Sequence, residues 1–463
     1  MTKDKITDID IKNIPDFLNT DYRDYVFYVL QNRALPDLRD GLKIGARKIL
    51  HAAFNGGLKS GQSKKLLNLS GDTMNLSLYQ HGDSSLNGTI ITLSQDFNFN
   101  FNPLYIDGQN VSLRNPKGIS APRYLYVKLS EFAELWRTDY DLLNFVFDEG
   151  QYVEPESYLP IIPIVIANRQ SGMAPGYRFS TMSYNPIDLI DACIKVLQSR
   201  KRNDKLEDFV IHPYIRGINK KNWKYEDEHW VNYGDFKYDD KKKLIKITDL
   251  PYDVDFDTFE KLLNKLVEKE EIRDWHNYSE GETIEYHIDC KRGTLGKTLK
   301  GKTINSKIEN KFKLKKIVPD DLLWVLDENG KIRHFITPQE LTEYFVNWRL
   351  TKYDERKSRL VKILEEKYKR NSLLVKFIEL VCKGKLKIRN RSKKDIKVDM
   401  DDYKLPIELI ATPMSKCTIE ERDELLKQNE EIKKQLDYIR KTTTKQMYVN
   451  DLEELKKKYS KMF

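Results

Sequence analysis

Residues 33–50 read RALPDLRDGLKIGARKIL, and residues 121–126 read APRYLY. In the first stretch Pro36 interrupts one helical pattern, and a second runs from Gly41 to Phe54 with Leu42, Ile49 and Leu50 inward. Lys43 and Arg47 form an i, i+4 pair there, and with Lys48 they are expected to project from the exposed side. Upstream, Asp21 to Arg33 carries Tyr25, Val26, Val29 and Leu30 at helical spacing, and a third helix is expected after the His81-Gly82-Asp83 turn. Small helical units that present a basic helix are how helix-turn-helix and winged-helix domains address DNA. The second stretch sets the Tyr124 hydroxyl beside an obligate cation, Arg123. A phenol with an ordinary pKa of about 10 is a poor nucleophile at neutral pH. Positive charge held against it favours the phenolate and stabilises a phosphoryl transition state. The chemistry suggested is reversible transesterification of a phosphodiester onto tyrosine.

Composition agrees with a polyanionic partner. The chain of 463 residues is long enough for several domains, and its net charge of +9 favours nucleic acid. A merely soluble basic protein has the same charge. Cys193, Cys290, Cys382 and Cys417 are far apart with no metal-ligand spacing, which suits a reducing compartment. Met1 to Asp10 carries charges and lacks an apolar core, so no signal peptide is expected. The longest apolar run, Ile161 to Ala167, contains Pro163 and is too short to span a membrane.

The fold class expected is multidomain α+β. An N-terminal arm (1–20) precedes a domain of winged-helix type that carries Tyr124 (21–180), then an α/β insert (181–335), then a coiled-coil stalk with a small helical contact domain (336–463). Within the second of these, Tyr158 to Ala167 reads as a β-rich run. The α/β reading rests on helical Ile187–Leu197, strand-like Leu244–Thr248 ended by Pro251, and helical Phe256–Glu268. Gln339 to Lys383 is nearly free of Gly and Pro and predicts a helix of about 65 Å. Arg389 to Lys397 reads as a short polar region. From Thr418 to Arg440, Leu425, Ile432 and Ile439 are spaced by seven with Leu436 filling the seam, a coiled-coil cue. One compact helical bundle is the plainer reading of this last third.

The ordered motifs resemble a known family, the breakage-reunion part of type IIA DNA topoisomerases. RALPDLRDGLKIGARKIL (33–50) is similar to its winged-helix motif and YQHGDSSLNGTIITLSQDF (79–97) to its next helix pair. IDGQN (106–110) and APRYLY (121–126) resemble its glycine loop and tyrosine segment. VEPESYLPIIPIVIANRQSGMAPGY (153–177) resembles the floor that bends DNA, and ITDLPYD (247–253) with the stretch 403–441 resembles tower and exit-gate regions. The wording sits between eukaryotic and T4-like phage forms, and the length points to a phage medium subunit.

The resemblance implies roles residue by residue. Tyr124 matches the nucleophile that becomes a 5′-phosphotyrosine, and Arg123 the neighbour that stabilises charge on the scissile phosphate. Arg33, Arg47 and His81 match further catalytic positions. Asp40, Lys43 and Lys48 match the DNA-binding set, and Met173 the apolar residue that wedges between base steps. Ser84 matches a serine of the quinolone pocket in bacterial relatives, and Gly88 replaces the acidic residue there, so weak quinolone binding is expected. Gln80 stands where many relatives have histidine, and Pro175 beside the wedge is unusual.

No metal site is expected in this chain. There is no G-x-x-x-x-G-K-[ST] loop, and Asp399-Met400-Asp401 reads as a solvated turn. The resemblance implies that Mg²⁺ comes through the TOPRIM module of a partner subunit, which would also bind ATP. The partners implied are double-stranded DNA, a second copy of the chain joined through a C-terminal gate, and that ATPase/TOPRIM subunit. The place implied is the cytoplasm or, if phage-encoded, the host nucleoid. A β-pinwheel is not recognisable, so relaxation or decatenation is expected rather than negative supercoiling. Two other readings stay open. One is an architectural DNA-binding protein that keeps the fold without cleavage, and the other a helical scaffold for a different polyanion.

Overall fold

Helix 44–55 carries the centre of the first domain because its buried face is continuous. Ala46, Ile49, Leu50, Ala52 and Ala53 are all buried there. The computed structural model describes residues 13–58, 61–199, 206–281, 283–291, 303–318, 323–388, 391–413 and 417–463. It divides into two compact units, residues 1–347 with 452–463, and residues 348–451.

In the first unit, Ile44–Asn55 packs with helices Leu66–Leu76 and Asp83–Leu93, and an antiparallel three-stranded sheet stands beside them. Its strands are Lys64–Lys65, Tyr126–Leu129 and Leu104–Asp107 in spatial order, with Ile106 and Lys64 both opposite Val127. Leu125, Val127 and Leu129 point inward while Tyr126 faces solvent, the alternation of a half-buried strand. Residues 14–34 form an unbroken run of helical turns. Of the residues at helical spacing there, Leu30 is buried, Val26 and Val29 are half-buried and only Tyr25 is exposed, while Phe27 and Tyr28 on the other side face outward.

The stretch Tyr158–Ala167 is buried throughout but is not a strand. Pro160 and Pro163 lack amide donors, so the chain runs irregularly and closes into a short helix, Ile164–Ala167. A hairpin of Gln170–Ala174 and Tyr177–Thr181 follows, with Met173 opposite Arg178. Further on, four antiparallel strands lie in the order Phe236–Asp239, Leu244–Ile247, Tyr286–Cys290, Ile272–Asn277. Helix Phe256–Glu268 lays Phe259, Leu263 and Leu266 on that sheet. Asp255 caps the helix by accepting from Thr258 N at 2.6 Å.

Helix Pro338–Cys382 has 45 residues, within one residue of the expected span at either end. In the second unit Val375, Phe377, Ile378, Leu386, Ile396, Met400, Leu405 and Leu425 form a core. Helix Ile419–Lys441 buries Leu425, Asn429, Ile432 and Leu436, a 4-3-4 seam in which Asn429 fills a position that apolar spacing missed. Its amide donates to Ser372 Oγ at 3.1 Å. Asp399-Met400-Asp401 is not a solvated turn: it lies in helix Lys393–Asp402, with Met400 in the core and Asp399 paired to Arg391. Arg389 lies outside the described residues. No helix among the described residues is long and apolar enough to cross a membrane.

Candidate active site

The turn that begins the 33–50 motif is set by a carboxylate and a glycine. Asp40 accepts four bonds: Arg47 Nε at 2.7 Å, Arg47 Nη2 at 3.0 Å, Leu42 N at 3.0 Å and Tyr158 N at 3.0 Å. Trp136 Nε1 donates to its carbonyl at 3.2 Å. Gly41 has φ +69°, and a Cβ there would stand 2.7 Å from Val165 N, so only glycine fits. Asp40 is 0% and Arg47 5% exposed. Burial alone would disfavour the Arg47 charge, but the Asp40 carboxylate outweighs it and raises the pKa. Asp37 joins the cluster through Arg39 at 2.7 Å, and burial raises its pKa against that hydrogen bond.

Two expectations about the helix change accordingly. Arg47 does not project from the exposed side but folds back onto Asp40, and neither group of the pair has a free surface to offer DNA. Lys48 also turns inward, with Nζ 2.8 Å from Glu154 Oε2 and 2.5 Å from Ser77 O. The i, i+4 spacing looks only along the helix, whereas Arg47 reaches back seven residues to Asp40 ahead of it and Lys48 meets Glu154, 106 residues away. Lys43 is half-buried, donates to Ser171 O at 2.8 Å, and has its pKa lowered by burial.

Arg33 and His81 remain exposed. The Arg33 guanidinium lies 5.4 Å from the centre of the Tyr28 ring, and His81 sits edge-on to Tyr79 at 5.5 Å. An open groove of about 1170 Å³ gathers Arg33, Lys43, Lys48, Gln80, His81 and Arg169 along one lining. Tyr124 and Arg123 are not part of that lining. They stand on the turn Pro122–Tyr124, directly ahead of strand Tyr126–Leu129. Leu125, fully buried, anchors the turn by accepting from Leu66 N at 3.0 Å, while Tyr124 is 63% exposed. Arg123 lies 5.0 Å from the Tyr124 ring centre. The arrangement offers an exposed phenol with a cation against it, on a turn anchored at Leu125, which suits attack on a bulky anionic substrate.

Met173 is 81% exposed on its hairpin. Gly172 behind it packs so closely that a Cβ would meet Ala34 O at 2.2 Å and Lys43 Nζ at 3.1 Å. Gln170 Nε2 also donates to Gly41 O at 2.6 Å, tying the hairpin base to the Asp40 turn. Ser84 and Gly88 lie one turn apart on the exposed face of helix Asp83–Leu93 and do not line the groove. Sequence reasoning missed the Asp37–Arg39 pair, two residues apart, and also Glu154 and Gly172, whose neighbours Lys48 and Ala34 are distant along the chain. It missed too the hairpin Leu323–Leu326/Ile332–Phe335, which receives Leu38 N at Leu326 O (2.8 Å). Among the described residues no group of three or more His, Cys, Asp and Glu side chains could hold a metal ion.

Residues 33–455 match the family formed by the A subunits of DNA gyrase and topoisomerase IV. A mitochondrial DNA topoisomerase 2 of Dictyostelium discoideum is 30% identical over 97% of this chain and 35% of its own length. The DNA topoisomerase-like protein cin-4 of Caenorhabditis elegans is 28% identical over 86% of this chain and 47% of its own. The chain thus spans between about a quarter and a half of the curated relatives it matches. Its fold superposes with a TM-score of 0.83 on the DNA-binding, cleavage and re-ligation domain of Plasmodium falciparum topoisomerase II, at 25% identity over 96% of this chain and 65% of that one.

Proposed function

Because the chain belongs to the family of DNA gyrase and topoisomerase IV A subunits, we propose that it is the cleavage and religation part of a type II DNA topoisomerase. The observation that carries the reading is the exposed Tyr124 with the Arg123 guanidinium 5.0 Å from its ring, inside the matched residues. The Tyr124 oxygen attacks a backbone phosphate, a new P–O bond forms to tyrosine, and the bond to the deoxyribose 3′-oxygen breaks. The tyrosine proton ends on that leaving 3′-hydroxyl. Arg123, Arg33 and His81 supply positive charge or hydrogen bonds to the phosphate, and the buried Asp40–Arg47 pair holds the frame. The bond energy stays in the phosphotyrosine, so the reverse attack by the 3′-hydroxyl reseals the strand without an external source.

Exposed Met173 is suited to enter a base step and bend the duplex. Residues 21–180 form the cutting domain, 181–335 the tower and 336–463 a dimerising stalk and gate, so two copies cut both strands. When bound, Mg²⁺ would ease departure of the 3′-oxygen, and this reading assigns its ligands, with ATP, to the TOPRIM and ATPase modules of a partner subunit. The substrate is duplex DNA that becomes relaxed or decatenated, in the cytoplasm or nucleoid. The finer reading, a T4-like phage medium subunit, stands beside relatives that are eukaryotic, and the motif wording sits between the two forms.

The test is to mix the chain with an ATPase/metal module of the family, Mg²⁺ and supercoiled plasmid, then quench with detergent. Nuclease digestion and peptide mass spectrometry should find a nucleotide on Tyr124. DNA bound tightly with no adduct on any tyrosine sinks the enzyme reading and leaves the architectural one.

A further inference from the structure

The loop leading to Tyr124 is pinned at its far end by one side chain. Residues 109–120 leave strand Leu104–Asp107 and close on themselves where Ser120 N donates to Gln109 O at 3.1 Å. Near the apex, Arg114 Nη1 donates to Pro251 O at 2.7 Å and Val254 O at 2.9 Å. Its Nη2 donates to Leu250 O at 2.6 Å and to Asp249 Oδ1 at 3.0 Å. Phe256 N returns a bond to Arg114 O at 3.1 Å. Four acceptors met by one planar group suit a guanidinium fork and not an ammonium. The Arg114 side chain is only 11% exposed, so the bonds are little weakened by water.

The same turn holds a second arginine. Arg169 Nη2 donates to Asp253 Oδ1 at 2.9 Å, and its guanidinium lies 5.1 Å from the Tyr252 ring centre. Arg169 immediately precedes strand Gln170–Ala174, which carries Met173. The turn is itself fixed to its surroundings. Tyr252 N donates to Asn232 Oδ1 at 2.8 Å, Asn222 Nδ2 to Asp249 Oδ2 at 2.8 Å, and Tyr252 stacks on Trp223. The ITDLPYD motif (247–253) therefore grips two segments that reach the candidate site from different directions.

Resting on the cleavage function proposed above, we propose that residues 249–254 form a registration block, with Arg114 as the positioning residue that sets Tyr124 relative to the Met173 hairpin. Tyr124 needs such a restraint. Its own turn rests on helix Leu66–Leu76 through the bond from Leu66 N to Leu125 O at 3.0 Å, and the bond from Tyr124 N to Ala121 O at 2.9 Å ties its other end to the 109–120 loop. A displacement of the nucleophile by about 1 Å can lower a rate by about 100-fold. Arg114 touches neither the phenol nor Arg123 in any bond described above, so its effect runs through loop geometry.

The experiment compares the full chain with R114A, R114K and D249N, alone and with the ATPase/metal module. In the chain alone, amide exchange over residues 109–124 should rise in R114A and R114K by more than exchange elsewhere in the same unit, beyond any fall in melting temperature that the lost buried bonds bring. With the module and duplex DNA, the single-turnover rate of adduct formation should fall about 10- to 100-fold in R114A. R114K should fall nearly as far, because lysine cannot satisfy four acceptors, and D249N least, because the three carbonyls remain. DNA affinity should stay within about twofold, since no phosphate contact is lost. Unchanged exchange and rate in R114A overturn the proposal. So does a parallel loss of melting temperature, DNA binding and rate in all three variants, which marks plain structural support. If the unaltered chain forms no adduct the cleavage reading fails, and the exchange data still decide whether Arg114 restrains the tyrosine loop.

Discussion

Tyr124 and Asp40 come from neighbouring motifs with equal claims on the site, yet one is 63% exposed and the other 0%. Around Asp40 every acceptor position is used by Arg47, Leu42 N and Tyr158 N, so the cluster is complete without a ligand. Tyr124 and Arg123 have each other and solvent, and their remaining capacity is turned outward. The difference separates groups that meet a substrate from groups that hold the backbone which presents them. Charge alone does not make that distinction: Arg47 and Arg33 are equally cationic, and only burial tells them apart.

The sharpest way to break this contrast is a pair of substitutions read on two scales. Tyr124→Phe removes one hydroxyl from an exposed ring and should abolish the covalent adduct completely in detergent-quenched gels. Its effect on unfolding should stay within about 0.5 kcal/mol, as for other exposed positions. Arg47→Ala should do the reverse, leaving Asp40 buried without its cation and costing about 3–5 kcal/mol in urea unfolding. Any loss of DNA cleavage in Arg47→Ala should then track the unfolded fraction. An Arg47→Ala protein of ordinary stability that cuts poorly would place Arg47 among the substrate-touching groups and dissolve the comparison.

Much of this organisation can be read from local pattern. Helix Phe256–Glu268 falls where its apolar spacing puts it, because both its inward face and its Asp255 cap are local signals. The long helix Pro338–Cys382 is legible for want of breakers, and the seam of Leu425, Ile432 and Leu436 from its heptad spacing. What escapes local reading is set by distant partners. Lys48 turns inward because Glu154 lies opposite it, 106 residues away. Arg114 looks like one more loop cation until the carbonyls of 250–254 surround it. The apolar residues of 158–167 promised a strand, but strand formation needs amides that Pro160 and Pro163 lack. Of the candidate site, the Tyr124–Arg123 adjacency is legible in the sequence, whereas the inward turn of Arg47 and Lys48, which the resemblance assigns to catalysis and DNA binding, appears only with their buried partners in place.

A milder test lies on the Met173 hairpin, where exposed and packed positions alternate within one strand. Gly172→Ala drives a Cβ toward Ala34 O, a backbone atom that cannot swing aside, and should cost about 1–3 kcal/mol. Met173→Ala, at an 81% exposed position, should cost less than about 0.5 kcal/mol. Its consequence should appear in DNA bending, followed by the energy transfer between dyes at the duplex ends. Equal stability losses at the two positions would mean that the hairpin does not rest on the Ala34 segment in solution.

The smallest effect concerns protons. His51 lies on the buried face of helix Ile44–Asn55, edge-on to Phe145, with Nδ1 3.2 Å from the Asn55 amide nitrogen. Burial lowers its pKa, Glu154 opposes the shift and Lys48 adds to it. With Asn55 donating to Nδ1, the neutral ring carries its hydrogen on Nε2. The folded state therefore takes up a proton less readily than the unfolded chain, whose histidine titrates near about 6.5. Above that pH both states are neutral and the group contributes no slope. As pH falls below it, the unfolded state gains protons first and stability is lost, by at most about 1.4 kcal/mol per pH unit. His51→Gln removes the titration, so its stability should decline less than that of the unaltered chain between pH 7.5 and 5.5 in urea unfolding. Parallel curves would show that folding does not hinder protonation of His51. The frame around Asp40 and the exposed groups it supports would then differ less in hydration than their burial indicates.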